Sequence, residues 1–306
     1  MALSIQSNMA SMSIQNQLGR SNNDLSTALE RLGSGFKINS AKDDAAGLQI
    51  ASRLNAQVRG QDAALYNSNN AMSMMQTAEG AFDEMTNIAY RMKELATQGA
   101  NGTNGTKENE ALNAEFIALE DEFASILQNT NYGGTKLLAQ TVGADVAAAA
   151  GTRAVSASGL GKFSDTATAV TFQVGSSTDE VLSVGVGAEV QALHTAVNTV
   201  TGAQNSIADL STQADSLAGI ANIDTLIESI GSARSAMGAS MNRLEHTMNN
   251  VTNMKENTQA AAGTLMDADF AAETSNMTKQ QLLMNSGISV LSTANSTTQM
   301  IGSLLR

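Results

Sequence analysis

The two histidines are the first candidates for metal binding or acid–base catalysis in this chain. His194 and His246 lie 52 residues apart, whereas a helical metalloprotease pair needs two histidines at positions i and i+4. His246 follows Glu245 in a helical pattern, so we expect it to be solvated or to face a partner. The chain has no cysteine, which removes thiolate metal sites, disulfides and cysteine nucleophiles.

Carboxylates and glycine-rich stretches are the remaining candidates for a reaction centre. Six carboxylates crowd one predicted helix, and a solvated helix face explains them better than paired acid–base catalysis. They are Glu108, Glu110, Glu115, Glu120, Asp121 and Glu122. The segment GLGKFS at 159–164 fails as a phosphate loop because Phe163 follows Lys162. We therefore expect no catalytic, metal-binding or cofactor-binding residue, no cofactor, and a protein that is not an enzyme.

Composition narrows the possible partners. The net charge is −12, which argues against nucleic-acid binding because phosphates are bound by clustered Lys and Arg. The 16 methionines lie mostly at core positions of helical patterns. No apolar run is long enough to enter a membrane. The first residues lack the basic start of a cleaved signal, so any export is expected to use another route.

Apolar spacing predicts helices in both end regions. From Leu18 to Phe36 the apolar residues follow one helix face, and two nearby glycines predict its end. Ser40 with Asp43 predicts a capping box that opens the next helix. That helix carries a seam with coiled-coil-like gaps over residues 54–95. A helix over 112–126 follows an Asn-Gly-rich loop, which predicts antiparallel packing. Helical spacing returns over 223–251 and 282–305.

The centre of the chain has a different character. Residues 141–222 are rich in Ala, Gly, Ser, Thr and Val. Alternating β-branched residues at 170–174 and 181–184 flank a polar turn and predict a β-hairpin, and residues 188–200 are predicted to form a short helix. The predicted fold class is mainly α. Long antiparallel helices from both chain ends form an elongated, coiled-coil-like bundle, with a small β-hairpin in the central region.

The most informative feature of the chain ends is their lack of charge. Residues 1–19 and 280–305 contain no Asp, Glu, Lys or Arg, although helices exposed to solvent normally carry charge. Poorly ordered termini are the simpler interpretation. The alternative is that both ends fold against other copies of the chain, and a head-to-tail contact that does not close into a ring produces a filament.

Several long motifs resemble one family. The segment ERLGSGFKINSAKDDAAGLQIA at 30–51 resembles the N-terminal signature of bacterial flagellins. The block SGISVL at 286–291 and the ending SLLR resemble their C-terminal signature. The motifs DADFAAE at 267–273 and NYGGTKLL at 131–138 are also similar to the family. Together the motifs cover roughly residues 1–140 and 223–306.

The resemblance implies a domain organisation. Residues 1–42 with 267–306 would form a discontinuous inner coiled-coil domain that lines the filament core. Residues 43–179 with 223–266 would form a discontinuous helical domain with a β-hairpin near 170–186. Residues 180–222 would form a short variable outer segment, without a large separate outer domain.

The resemblance also implies a function, partners and a location. The chain would polymerise with copies of itself into the helical filament that bacteria use for swimming, outside the cell, after type III export. Expected partners are an export chaperone, cap and hook-junction proteins, and host flagellin receptors of the innate immune system, with no nucleic acid and no membrane insertion.

The implied site residues form three sets. Apolar residues of the terminal helices would mediate self-assembly: Leu3, Ile5, Leu18, Leu25, Leu29, Leu32, Leu282, Leu283, Ile288, Val290, Leu291, Ile301, Leu304 and Leu305. A Toll-like receptor surface would include Arg91, Leu95 and Glu115. The epitope of a plant receptor kinase would include Glu30, Asn39, Asp43, Asp44, Gly47 and Leu48.

Two other functions stay open at this point. A hook–filament junction protein, or another flagellin-related adaptor, would have similar ends but would not polymerise alone. A secreted enzyme on a flagellin-like scaffold would need a catalytic constellation in residues 141–222, and none is found there.

Overall fold

The computed structural model describes residues 8–138, 161–164, 169–198, 208 and 210–304. The helices within these ranges are α1 (Met9–Ser34), α2 (Ala45–Gly99), α3 (Thr106–Asn129), α4 (Gly187–Asn198), α5 (Gln213–Met266) and α6 (Phe270–Leu304). With 55 residues, α2 is about 80 Å long at 1.5 Å per residue. The predicted fold class, mainly helical with long antiparallel helices and a small β-hairpin, is confirmed.

Two short hairpins complete the described structure. Strands β3 (Val170–Gln173) and β4 (Val181–Val184) pair antiparallel, as the alternating residues predict. Strands β1 (Asn131–Tyr132) and β2 (Thr135–Lys136) form a smaller hairpin that the sequence pattern did not predict. Its turn is Gly133-Gly134, with φ of 58° and 82°, a left-handed conformation that glycine adopts without steric cost.

Local chemistry explains where the first two helices end and begin. Helix α1 ends at Gly35, whose φ of 76° is left-handed and whose N–H donates to the Arg31 carbonyl, as the glycines predicted. The prediction that Ser40 caps α2 is wrong. Asp44 is the N-cap, because its Oδ1 accepts a hydrogen bond from the Gly47 N–H at 2.9 Å.

The chain divides into two compact units. We call Met1–Arg59 with Lys255–Arg306 the terminal unit, and Gly60–Met254 the central unit. The division into these two units does not decide the predicted domain boundaries, which stay a prediction. So does the outer segment at 180–222, of which the structure describes only part, including α4. Residues 199 and 200 of the predicted short helix lie outside the described residues.

The central unit contains a continuous apolar core. Phe82, Phe116 and Phe123 are completely buried, and Val190 and Leu193 of α4 belong to the same cluster. Within the described ranges, all of the largest fully buried side chains lie in this unit. Burial of this kind stabilises a unit by about 1.5–3 kcal/mol per large side chain.

Ion pairs at the surface of the central unit connect its helices and show their relative direction. Arg91 of α2 binds Glu115 of α3 at 2.6 Å. Lys93 and Asp83 of α2 bind Asp224 and Arg234 of α5, respectively. The residue that is later in α2 pairs with the residue that is earlier in α5, so α2 and α5 are antiparallel.

Candidate functional site

Helices α1 and α6 of the terminal unit run antiparallel, with contacts from Asn8 beside Ala294 to Arg31 beside Glu273. The Asn8 side-chain amide donates to the Ala294 carbonyl at 3.2 Å near one end of the pair. Arg31 and Glu273 form an ion pair of 2.9 Å near the other. Beyond it, the Ala268 N–H donates to the Gly35 carbonyl at 2.9 Å. These contacts fix one register between two segments that lie more than 230 positions apart in sequence.

Small and polar residues make up much of the contact between these two helices, and Leu18 lies against Gly287 within it. Ser21 and Ala28 are the most deeply buried residues of α1, and the Ser11 hydroxyl lies 3.1 Å from the Asn295 side-chain oxygen. A Cβ on Gly287 would lie 2.8 Å from Leu18 Cδ2, so the helices approach closely there. In the described part of the terminal unit, Ile38 is the only large aliphatic side chain that is buried.

The large apolar side chains of the terminal unit therefore remain largely on its outside. Leu282 is 65% exposed and Ile288 is 56% exposed. A shallow open groove along α6 runs from Phe270 to Leu282. The exposed set comprises Met9, Met12, Leu29, Phe36, Ile50, Phe270, Leu282, Leu283, Ile288, Val290 and Met300. We call these exposed apolar residues the terminal apolar surface.

The predicted self-assembly residues fall into three groups. Leu29, Leu282, Leu283, Ile288 and Val290 are exposed, whereas Leu18, Leu25, Leu32 and Leu291 are half-buried. Ile301 and Leu304 belong to α6, while Leu3, Ile5 and Leu305 lie outside the described residues. Met9, Met12, Phe270 and Met300 are exposed on the same helices, and the helical apolar pattern was the signal that could have found them.

One charged pair lies at the α1–α6 contact. The Glu273 carboxylate is nearly buried, and it accepts hydrogen bonds from Arg31 and from the Asn276 amide. The hydrogen bond from Arg31 is the main reason why the pKa of Glu273 lies below its ordinary value. This partly buried pair stabilises the register more than an exposed pair would.

The residues of the predicted plant-receptor epitope lie at the end of α1, in the turn that follows it and at the start of α2. Asn39 donates its side-chain amide to Glu30 at 2.8 Å. The Asp43 carboxylate accepts from the backbone N–H groups of Asn39 and Ser40, which lowers its pKa. Gly47 is buried and Leu48 is half-buried at the start of α2. Asn39 and Asp43 therefore also stabilise the turn through these hydrogen bonds.

The predicted Toll-like receptor residues differ in their exposure. Arg91 is exposed and binds Glu115 through two nitrogens, at 3.1 and 2.6 Å. It also binds Glu94 at 2.5 Å. These carboxylates raise the pKa of Arg91. Leu95 is buried in the central core, so only the charged pair is available to a partner in this conformation.

The candidates for catalysis do not come together in the described ranges. His194 is buried with its Nε2 3.1 Å from the Leu138 carbonyl oxygen, and burial lowers its pKa. His246 is exposed. Within the same ranges, no group of three or more His, Cys, Asp or Glu residues could hold a metal ion. Nor does any described helix combine the length and apolar character needed to cross a membrane.

Comparisons with protein families and sequences agree with one another. Residues 5–143 match the bacterial flagellin N-terminal helical region, and residues 220–305 match the corresponding C-terminal helical region. Flagellin A of Vibrio cholerae is 43% identical over 186 residues, covering 61% of this chain and 42% of that protein. Polar flagellin C of Vibrio parahaemolyticus is 51% identical over 138 residues, covering 45% and 36%. The chain thus spans less than half the length of these curated relatives.

One solved structure shows the same fold. A flagellar hook-associated protein from Vibrio parahaemolyticus has a TM-score of 0.52 at 16% identity, covering 74% of this chain and all of that one. Bacillus cereus flagellin has a TM-score of 0.43 at 26% identity, covering 64% and 94%. At this sequence identity, the similarity to the hook-associated protein is evidence for the fold and not for the function.

Proposed function

The chain belongs to the bacterial flagellin family, and on that premise we propose that it is a structural subunit that polymerises with copies of itself into the flagellar filament. The observation that carries the proposal is the terminal apolar surface. Its role would be assembly rather than turnover of a substrate.

The contrast between the two units supports this function. In its described part, the central unit buries Phe82, Phe116, Phe123 and Phe163 and most of its large aliphatic side chains in its own core. The terminal unit instead pairs α1 with α6 through small and polar residues and half-buried leucines, and it leaves Leu282, Ile288 and Val290 largely exposed. Covering such side chains contributes about 1.5–3 kcal/mol for each one fully buried. Other copies of the same chain would supply that cover.

In the proposed filament, each copy of the chain would contact the next copy through two different surface patches. Contact between different patches on successive copies is heterologous, and such contacts generate a filament when the rotation does not close. The lack of charge over residues 1–19 and 280–305 reduces the cost of removing these helices from water. The predicted self-assembly residues, including Leu3, Ile5 and Leu305, are proposed as the contact set.

Deleting residues 280–306 tests the proposal. The central core lies within residues 71–244, so the truncated protein should keep a cooperative thermal unfolding transition and most of its helical circular dichroism. It should form no filaments under conditions in which the intact chain does. Normal filaments from the truncated protein would contradict the proposal.

A hook–filament junction protein or a related adaptor is the second candidate, because such a protein would have similar charge-free ends but would not polymerise alone. Abundance distinguishes the two functions. A filament subunit should be the dominant protein in filaments sheared from the cell surface. A junction protein should be present there in only a few copies per filament.

The family also supports finer proposals about partners and location. We propose that the chain is secreted by flagellar type III export to an extracellular filament. An export chaperone would hold the free subunit, and the filament would meet cap and hook-junction proteins. For host recognition we propose the exposed pair Arg91 and Glu115, because Leu95 is buried. Charge reversal at Arg91 should reduce activation of a flagellin-sensing Toll-like receptor in a reporter assay.

A further inference from the structure

Exposed methionines are concentrated on the terminal helices. Among the methionines that the structure describes, only Met9, Met12 and Met300 are exposed, at 69%, 54% and 58%. The others are half-buried or buried. The central core contains methionines with no exposed surface: Met75, Met85, Met92 and Met237. Met9, Met12 and Met300 are therefore the methionines that a dissolved oxidant reaches most readily in the described part of the chain.

The three exposed methionines lie at one end of the α1–α6 pair. Met9 and Met12 are three positions apart and share a face of α1. The antiparallel register places Asn8 beside Ala294, and Met300 follows Ala294 by less than two helical turns. The chain has no cysteine, so no thiol of its own competes for a two-electron oxidant.

We propose that Met9, Met12 and Met300 form an oxidation-sensitive site on the free subunit, and that their conversion to methionine sulfoxide blocks addition of the subunit to a filament. Hydrogen peroxide is the oxidant. The thioether sulfur attacks one peroxide oxygen and forms an S–O bond as the O–O bond breaks, and the proton of the attacked oxygen passes to the departing hydroxide, which leaves as water. The sulfur loses two electrons, and the peroxide gains them.

The effect on assembly rests on the proposed function. A sulfoxide is a polar, chiral group that disrupts methionine-rich contacts. Covering it in an interface would leave a strong hydrogen-bond acceptor without water. Oxidation would thus prevent a free subunit from adding to a filament. In a subunit that is already part of a filament, these sulfur atoms would be covered. Reduction of the sulfoxides would restore the subunit.

Two measurements on the full-length protein test the site. Peptide mass spectrometry after graded peroxide treatment would follow the gain of one oxygen at each methionine, in free subunits and in filaments. Electron microscopy would follow extension of filament seeds by treated subunits. A triple variant, Met9→Leu, Met12→Leu and Met300→Leu, removes the site, and Met72→Leu, Met74→Leu and Met241→Leu is the control with half-buried methionines of the central unit. Each variant is compared with its own rate before treatment.

We expect Met9, Met12 and Met300 to oxidise first in free subunits and slowly in filaments. Extension should fall by about tenfold or more in the wild type and the control, as loss of roughly one buried apolar contact would cause. Methionine sulfoxide reductases should restore it, and the site variant should lose little. Equal sensitivity of the site variant, or uniform oxidation of all methionines, would overturn the proposal. Untreated wild type that fails to extend seeds would refute the proposed function, while the order of oxidation would still test the site's accessibility.

Discussion

Replacing Ile288 by asparagine is expected to weaken assembly without unfolding the subunit. The side chain is 56% exposed, and covering that exposed part in a filament contributes about 1–1.5 kcal/mol, half or so of full burial. The asparagine amide also loses its water, at a cost of about 1–3 kcal/mol. Together these effects, about 2–4.5 kcal/mol, predict a rise of about 30-fold to 2000-fold in the critical concentration for polymerisation.

The assay is sedimentation of filaments at steady state, with the monomer concentration measured in the supernatant. Thermal unfolding of the monomer should change by no more than about 0.5 kcal/mol in stability, because the substitution lies at the surface. Leu217→Asn is the matched control, since Leu217 is 55% exposed on α5 in the central unit. An unchanged critical concentration for Ile288→Asn, or an equal rise for Leu217→Asn, would refute the reasoning.

Three further predictions concern the subunit itself. Because Arg31 lowers the pKa of Glu273, their pair stabilises the native state above the carboxyl's unfolded pKa, and this stability is lost as pH falls through the lower native value. Glu273→Gln should remove that acid-dependent part of hydrogen-exchange protection in α6, and an unchanged pH profile would contradict it. Gly47→Ala should destabilise the protein by about 1–3 kcal/mol in urea unfolding, since its Cβ would meet the Asp44 cap at 2.5 Å. Gly80→Ala, with no atom within 4 Å, should stabilise it by up to about 1 kcal/mol. Phe82→Ala should cost about 3–5 kcal/mol in the same assay, and a loss below 1 kcal/mol would argue against its place in the core.

The helices and the main hairpin could be predicted from the sequence because their signals are local. Apolar spacing defines α2 and α5, the glycine after α1 forces a left-handed end, and β-branched alternation defines the hairpin from Val170 to Val184. The N-cap of α2 was placed wrongly, because Ser40 and Asp44 both carry capping side chains and only the path of the turn decides between them. The Gly133-Gly134 hairpin was missed since its strands have two residues each.

The arrangement of the candidate site was harder to predict. Nothing local pairs Arg31 with Glu273, because the α1–α6 register arises from contacts between the two chain ends. The same apolar spacing describes Leu95, which is buried, and Leu282, which is exposed. Periodicity identifies an apolar face but not whether the chain itself covers it. The lack of charge in the ends was the better indication of an uncovered face.

Growth from seeds tests the central claim most directly. Purified protein would be heated to monomers, mixed with short filament seeds at physiological salt, and imaged by electron microscopy. The account predicts long filaments that grow from the seeds, with Ile288→Asn growing poorly under the same conditions. Monomers that persist, or that only decorate or stop the seed ends, would contradict it and would identify the charge-free ends as docking segments of a junction or cap protein.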